Sequence, residues 1–152
     1  MAVRASYLVQ VEADAARDQV DWTPEFSRRA RGFAIYAAIR ALGRRGIADM
    51  VERCCDRACQ FAELLGAADN VEILNDVVLN QVLVRIADDD KRTTETVRRV
   101  QEDGTCWLAG TTWQGRAAIR ISVSNWQTSE NDVERSAAAI LEAAAAVSGA
   151  LR

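Results

Sequence analysis

Arg120 is the residue whose type and setting most suggest chemistry in this sequence. It lies in the run 118–124, where apolar residues alternate with small or polar ones in the period-2 pattern of a strand. Its neighbours Ala118 and Ser122 are too small to cover the guanidinium, whose planar fork of donors matches a carboxylate. Most strand arginines instead face water on a one-sided sheet. The pattern therefore makes Arg120 a candidate carboxylate-binding residue, with a merely solvated arginine as the alternative.

Histidine and lysine chemistry is almost absent from the chain. There is no histidine among the 152 residues, which excludes Ser-His triads, Cys-His nucleophiles and histidine metal ligands. Lys91 is the only lysine, and it follows Asp88, Asp89 and Asp90 in what reads as a solvated loop. A solvated lysine stays protonated and does not form imines readily. No complete active site is therefore predicted within the chain.

The cysteines and aspartates predict no metal site. Cys54, Cys55 and Cys59 cluster on one predicted helix and Cys106 lies apart, which is neither a disulfide framework nor a CxxC motif. We expect reduced, buried thiols in a cytoplasmic protein. The run of aspartates lacks calcium-loop spacing. The remaining candidates are aromatic residues that we expect to anchor a core or an interface: Trp22, Phe26, Trp107, Trp113 and Trp126.

The totals describe one ordinary globular domain without nucleic-acid or membrane features. Apolar residues make up 49% of the chain, charged residues 27%, and the formal net charge is −3. A negative net charge gives no basic field that would favour nucleic acid or anionic lipid. The sequence contains no run of 18 consecutive apolar residues, so no transmembrane helix is predicted. Its first residues do not match the pattern of a signal peptide.

The elements that must position these residues follow from periodicity and caps. Strands with short connections and helices on one face predict an α+β fold with a mostly antiparallel sheet. We predict first an irregular arm over 1–27, then a helix over 28–42 ended by Gly43 and a helix over 47–65. Strands within 71–86, broken at Asn75-Asp76, are followed by a short helix that is capped by Thr93 or Thr94 and runs to Glu102. Two strands within 105–124 join around Gln114-Gly115, and a last helix runs from a Ser129–Asp132 cap to Val147.

Three stretches together resemble a known family. They are DWTPEFSRRARGF at 21–33, LNDVVLNQV at 74–82 and IRISVS at 119–124. In this order and spacing they resemble the C-terminal region of group II pyridoxal-phosphate-dependent decarboxylases, the family of aromatic-L-amino-acid and glutamate decarboxylases. The similarity extends over essentially the whole chain.

The resemblance implies a fold and a division of the chain. The fold would be the small domain of fold-type I, aminotransferase-like enzymes. Residues 1–27 would be an arm of the large domain, 28–45 a connecting helix and 46–152 the small domain. The cofactor would be pyridoxal phosphate, and the lysine that anchors it precedes this region in the family. We therefore expect a C-terminal part of a decarboxylase that is inactive alone.

The resemblance also implies roles for single residues and partners. Arg120 matches the small-domain arginine that binds the substrate carboxylate, and Phe26 and Ser27 match a turn that approaches the cofactor or the neighbouring subunit. Partners would be an amino-acid substrate and a second copy or a complementary N-terminal half. In the aromatic branch a loop tyrosine protonates the substrate carbon, but residues 11–20 contain no tyrosine. The alternatives are a free-standing amino-acid-binding or regulatory module and an inert product of a split gene.

Overall fold

The computed structural model describes residues 29–150, with the backbone alone at residues 149 and 150. The predicted arm, and with it Trp22, Phe26 and Ser27, lies outside the described residues. The chain divides into two compact units after Gly43. The elements are α1 (Arg31–Gly66), β1 (Val71–Ile73), β2 (Gln81–Ile86), α2 (Asp90–Asp103), β3 (Ala109–Trp113), β4 (Arg116–Ser122) and α3 (Glu130–Ala150).

Helix α1 is interrupted at a single residue. Gly43 has φ 62° and ψ −176°, a conformation that glycine adopts far more readily than any residue with a side chain. The helix expected to stop there resumes at once. On the part of α1 that follows, Ala58, Phe61 and Leu65 are buried. On the part that precedes it, large apolar side chains are exposed: Phe33, Ile35, Tyr36, Ile39 and Leu42.

The four strands form one antiparallel sheet in the order β1-β2-β4-β3. Strand β4 lies in the interior, between β2 and β3, with Leu83 and Ala109 directly opposite Arg120 on its two sides. Directly opposite residues of an antiparallel pair point to the same face. Leu83, Ala109 and Arg120 therefore share one face of the sheet.

The three helices contribute to a core on the other face. The strand residues of this core are Val82, Val84, Ile86, Ile119 and Ile121, and they cluster with buried residues of α1, α2 and α3. The apolar positions of β4 predicted to point inward are thus confirmed as buried. The result is an α+β domain, as the sequence predicts. We call the opposite face, which carries Leu83, Ala109, Arg120 and Ser122, the open face.

Within residues 71–86, the break between the two strands is longer than predicted. Residues 74–80 form a loop, and Val78 and Leu79, which were expected in a strand, are 80% and 63% exposed. The Asn75 side chain accepts from the amide of Leu83 at 2.7 Å and donates to the carbonyl of Gln81 at 3.2 Å. A side chain thus replaces part of the β1–β2 ladder, which ends the pairing early.

Helix α2 begins earlier than predicted. Asp89 is the N-cap, because its carboxylate accepts from the amide of Arg92 at 2.9 Å. The hydroxyls of Thr93 and Thr94 instead donate to the carbonyls of the residues four positions before them. Both threonines therefore lie inside the helix, and the prediction that one of them caps it is wrong.

The hairpin and the last cap agree with the prediction. Gln114 and Gly115 both have positive φ, 50° and 79°, as a two-residue turn of type I′ between β3 and β4 requires. At the start of α3, the Ser129 hydroxyl accepts from the amide of Asp132 at 3.2 Å. The carboxylate of Asp132 accepts in return from the amide of Ser129 at 3.0 Å. This reciprocal pair is a capping box with aspartate in the place of glutamate.

Candidate functional site

The backbone of Arg120 is held between two neighbouring strands, and its side chain is open to solvent. Its strand neighbours Ile119 and Ile121 are buried in the core, which fixes the backbone from which Arg120 projects. Arg120 itself is exposed on the open face, and its cross-strand neighbours Leu83 and Ala109 bear no charge. Within residues 29–148 no carboxylate forms an ion pair with it. An arginine in this setting has all its donors available for a carboxylate.

Arg85 is an arginine with the opposite environment. Its side chain is only 5% exposed, and it donates to Asp88 at 2.8 Å, to Asp90 at 2.6 Å and to the carbonyl of Ala117 at 2.6 Å. The hydrogen bonds from Arg85 are the main cause that lowers the pKa of both Asp88 and Asp90. The side chains of Asp88 and Asp90 are 74% and 60% exposed, as expected of a solvated run, but both also neutralise a buried guanidinium.

Arg116, at the far end of β4, is also paired. Its guanidinium lies 3.3 Å from a carboxylate oxygen of Asp88 and 3.8 Å from one of Glu72. The buried Arg85 and the half-exposed Arg116 thus belong to one network of charges at one end of the sheet. Arg120 lies further along β4 and forms no ion pair with this network among the described residues. Sequence reasoning missed this network, although the acidic run directly after Arg85 was a signal for it.

A crevice of ≈ 490 Å³ lies between the α2–β3 connection, the end of β4 and α3. Its lining includes Cys106, Trp107, Ser124, Asp132 and Ser136. Burial is the main cause that raises the pKa of the Cys106 thiol, which disfavours the nucleophilic thiolate form.

The cysteines and tryptophans are less buried than expected. All four thiols are free; Cys54, Cys55 and Cys106 are partly buried and Cys59 is exposed. The expectation of buried thiols is therefore only partly met. The three tryptophans of the described region are exposed, so none of them anchors this core: Trp107, Trp113 and Trp126. Among residues 29–148, no group of three or more acidic or cysteine side chains is placed to hold a metal ion.

The family is decided by comparison with known proteins. The family model described as the pyridoxal-dependent decarboxylase conserved domain matches residues 1–87, more than half of the chain. This chain belongs to the pyridoxal-dependent decarboxylase family. The resemblance seen in the three sequence stretches is thereby confirmed, and the cofactor of the full enzyme is pyridoxal phosphate.

The individual relatives agree with this family and show how much of such a protein this chain covers. Histidine decarboxylase of Rattus norvegicus is 27% identical over 143 residues, which are 94% of this chain and 22% of the relative. The 3,4-dihydroxyphenylacetaldehyde synthase of Drosophila melanogaster is 24% identical over 113 residues, 74% of this chain and 22% of the relative. The chain thus spans about a fifth of the length of these curated relatives.

Solved structures show the same fold. The 4-hydroxyphenylacetaldehyde synthase of Rhodiola rosea has a TM-score of 0.73 and 25% identity, over 86% of this chain and 29% of that structure. The TDC of Oryza sativa, solved with PLP and tryptamine, has a TM-score of 0.73 and 21% identity, over 85% of this chain and 29% of that structure. The antiparallel α+β domain described above is therefore a fold found in both of these structures.

The residues of this chain do not fit the role of cofactor anchor. Lys91, the only lysine of the sequence, is exposed in the first turn of α2, next to the capping Asp89. A lysine that forms an imine at neutral pH is usually desolvated or placed beside another cation. Lys91 is exposed and so is not desolvated, and the acidic Asp89 and Asp90 that precede it oppose the effect of the cation at Arg92. The described residues also include no helix with the length and apolar character needed to cross a membrane.

Proposed function

We propose that this chain contributes the substrate-carboxylate-binding wall of a pyridoxal-phosphate-dependent amino-acid decarboxylase, and that the anchoring lysine comes from outside the chain. The observation that carries the proposal is the exposed guanidinium of Arg120 on an interior strand, which has no ion-pair partner among the described residues, in a chain of this family that has no suitable lysine. The chain alone is then inactive.

The geometry of the open face explains how Arg120 would act. A strand that is hydrogen-bonded on both sides fixes the backbone from which Arg120 projects, and the planar guanidinium can then meet a carboxylate with two parallel hydrogen bonds. Closing this face over a substrate excludes water and strengthens the interaction between the two charges. Arg85 and Arg116 cannot substitute for it, because their partners are already within 4 Å.

The partners that we propose are a second copy of the chain or a complementary N-terminal half. The exposed apolar residues before Gly43 support this, because contiguous apolar surface of this kind is usually covered by another protein surface. In this proposal residues 1–27 belong to the large domain, 28–45 form the connecting helix and 46–152 the small domain. Phe26 and Ser27 contact the cofactor or the neighbouring subunit, and the enzyme is a cytoplasmic dimer.

The proposal concerns the departure of a carboxylate and leaves the later fate of the substrate carbon open. The names of the relatives include both decarboxylases and aldehyde synthases. The described residues do not separate these outcomes, since Arg120 would bind the substrate carboxylate before either of them.

An Arg120→Ala substitution in the complete enzyme tests this proposal. Loss of a charge-assisted pair with the substrate carboxylate should raise KM by roughly 10- to 100-fold. Arg120→Lys should recover part of the loss, because it keeps the charge but not the planar fork. The matched control is Arg98→Ala, which removes the same charge from the exposed surface of α2. Equal kinetics for Arg120→Ala and Arg98→Ala would remove Arg120 from the site.

A free-standing amino-acid-binding module is the second candidate. It is favoured by one observation, namely that the unit after Gly43 has its own closed core while Arg120 stays exposed. Saturable binding of amino acids to the isolated chain, abolished by Arg120→Ala, would support the module. Absence of such binding, together with the KM effect above, supports the decarboxylase part.

A further inference from the structure

The crevice beside the end of β4 combines an apolar floor with a polar rim. The rim carries the side chains of serine, threonine and asparagine residues, and the crevice measures ≈ 490 Å³, which is room for a small organic molecule. The floor consists of core side chains that are at most 7% exposed: Phe61, Leu108, Ile121 and Ile140. Such a lining favours a ligand with an apolar body and a polar group at one end.

Asp132 is the only charged residue among the described residues that line the crevice. The cap of α3 holds its carboxylate in place, since the hydroxyl and the amide of Ser129 both donate to Oδ2, at 2.7 and 3.0 Å. These hydrogen bonds are the main cause that lowers the pKa of Asp132, and Arg135 adds to the effect from outside the lining. The carboxylate is therefore ionised at neutral pH. Within residues 29–148 no donor is hydrogen-bonded to Oδ1, which leaves that oxygen available to a cation.

Trp107 adds an aromatic surface to the same crevice. Its side chain is 79% exposed, so it contributes little to the core. The indole ring attracts cations more strongly than the other aromatic side chains and also stacks on other rings. Ser136 adds an acceptor, because its hydroxyl donates to the carbonyl of Asp132 at 2.7 Å and keeps lone pairs on its oxygen. A carboxylate, an indole and neutral acceptors around an apolar floor are groups that recognise an organic ammonium ion.

The same lining disfavours an amino acid. The described lining residues include neither arginine nor lysine, so the carboxylate of a zwitterion would meet Asp132 without a compensating cation. A primary amine is protonated at neutral pH and lacks that carboxylate. We propose that the crevice is a second binding site, which takes a primary amine with an apolar body and rejects the corresponding amino acid.

The chemistry of decarboxylation connects this site to the candidate site at Arg120. When the carboxylate leaves as carbon dioxide and the carbon takes up a proton, an amino acid becomes a primary amine. Arg120 then attracts the substrate through its carboxylate, and the crevice attracts the product through its ammonium group. The crevice begins at Ser122, two residues along β4 from Arg120. This connection to the product rests on the proposed function, whereas the binding of amines to the crevice does not.

Isothermal titration calorimetry of this chain tests the selectivity with three probes that share one phenyl group. 2-Phenylethylamine carries the ammonium group, L-phenylalanine carries both the ammonium group and a carboxylate, and 2-phenylethanol carries no charge. The amine should bind saturably. Both other probes should bind at least about tenfold more weakly, since one adds a repelled carboxylate and the other lacks the cation. No saturable binding of the amine, or equal binding of the alcohol, overturns the proposal.

Substitutions in the lining locate the bound amine. Asp132→Asn removes the charge and keeps a side-chain oxygen for the cap, so the Kd of 2-phenylethylamine should rise about tenfold or more. Glu134→Gln is the matched control, because it removes an exposed acid of the same helix that is not in the lining. Trp107→Ala should also weaken binding, with Trp113→Ala as its control. Circular dichroism shows that each variant is folded, and an unaltered Kd in either folded lining variant contradicts the site.

The same titrations separate the amine site from the carboxylate site. Arg120→Ala should leave the affinity of the chain for 2-phenylethylamine unchanged, whatever its effect on KM in the complete enzyme. An unchanged KM would therefore end the proposed function and leave the amine site standing. The inference is refuted if Arg120→Ala abolishes amine binding. It is equally refuted if L-phenylalanine binds as tightly as the amine and loses affinity in Asp132→Asn, because the crevice would then be an amino-acid site.

Discussion

Arg85 and Arg120, two arginines of the same sheet, show how the environment decides what one residue type does. Arg85 is buried and meets two carboxylates and a carbonyl, so it stabilises the junction of β2 and α2. Arg120 has uncharged cross-strand neighbours and stays open to solvent. The sequence pattern singled out Arg120 because Ala118 and Ser122, two positions away on the same face of the strand, are small. The acidic run after Arg85 was a signal for its pairing, but which carboxylates reach it depends on the tight turn that follows β2.

The carboxylates around Arg85 predict a loss of stability in acid. Arg85 lowers the pKa of Asp88 and Asp90 below the ordinary value of 3.8. A lowered folded-state pKa gives stability that is present above the ordinary pKa and is lost as pH falls through the folded value. Chemical denaturation should therefore show a steady free energy of unfolding from neutral pH to about pH 4, and a decline below it.

The variants that check this origin are Asp88→Asn and Asp90→Asn, combined in one chain. The double variant should be less stable than the wild type at pH 7 and should show a shallower decline in acid. Asp69→Asn, an exposed aspartate outside the network, is the control. Because Glu95, Asp103 and Asp132 also have a lowered pKa, part of the acid decline should remain. An unchanged slope in the double variant would refute the role of Arg85.

At the scale of elements, local chemistry explains which predictions succeeded. The Gln114-Gly115 turn and the Ser129–Asp132 cap involve residues within a few positions of each other, so their type and spacing were sufficient. The early end of the β1–β2 pairing was not predictable, because it depends on Asn75 reaching strand residues 6 and 8 positions away. The true cap of α2 was missed for a related reason. Asp89 was assigned to a solvated run, and its acceptor role is visible only in the fold.

Ser129→Ala tests the cap of α3. Loss of the hydroxyl that accepts from the amide of Asp132 should lower the free energy of unfolding by about 1 kcal/mol. Ser148→Ala is the control, because the Ser148 hydroxyl only donates back to the carbonyl of Ala144 within the helix. Thermal and urea denaturation measure both variants. A Ser129→Ala chain as stable as the Ser148→Ala chain would show that the capping box contributes nothing.

At the scale of the molecule, the chain combines a complete core with an incomplete site. The fold class and the buried strand positions follow from the hydrophobic pattern, because one face of the sheet must be covered. The proposed site could be predicted only in part, since Arg120 is the single residue of the described region on which the proposal rests. The exposed apolar residues before Gly43 support the proposal that another protein surface covers them.

The most direct test of this account is to titrate the purified chain with pyridoxal phosphate and to assay carbon dioxide release from a panel of amino acids. The account predicts imine absorbance no greater than that of a lysine-containing control peptide and no release of carbon dioxide, because Lys91 is solvated beside acidic residues. A stable imine at Lys91 with catalytic turnover by the chain alone would contradict it.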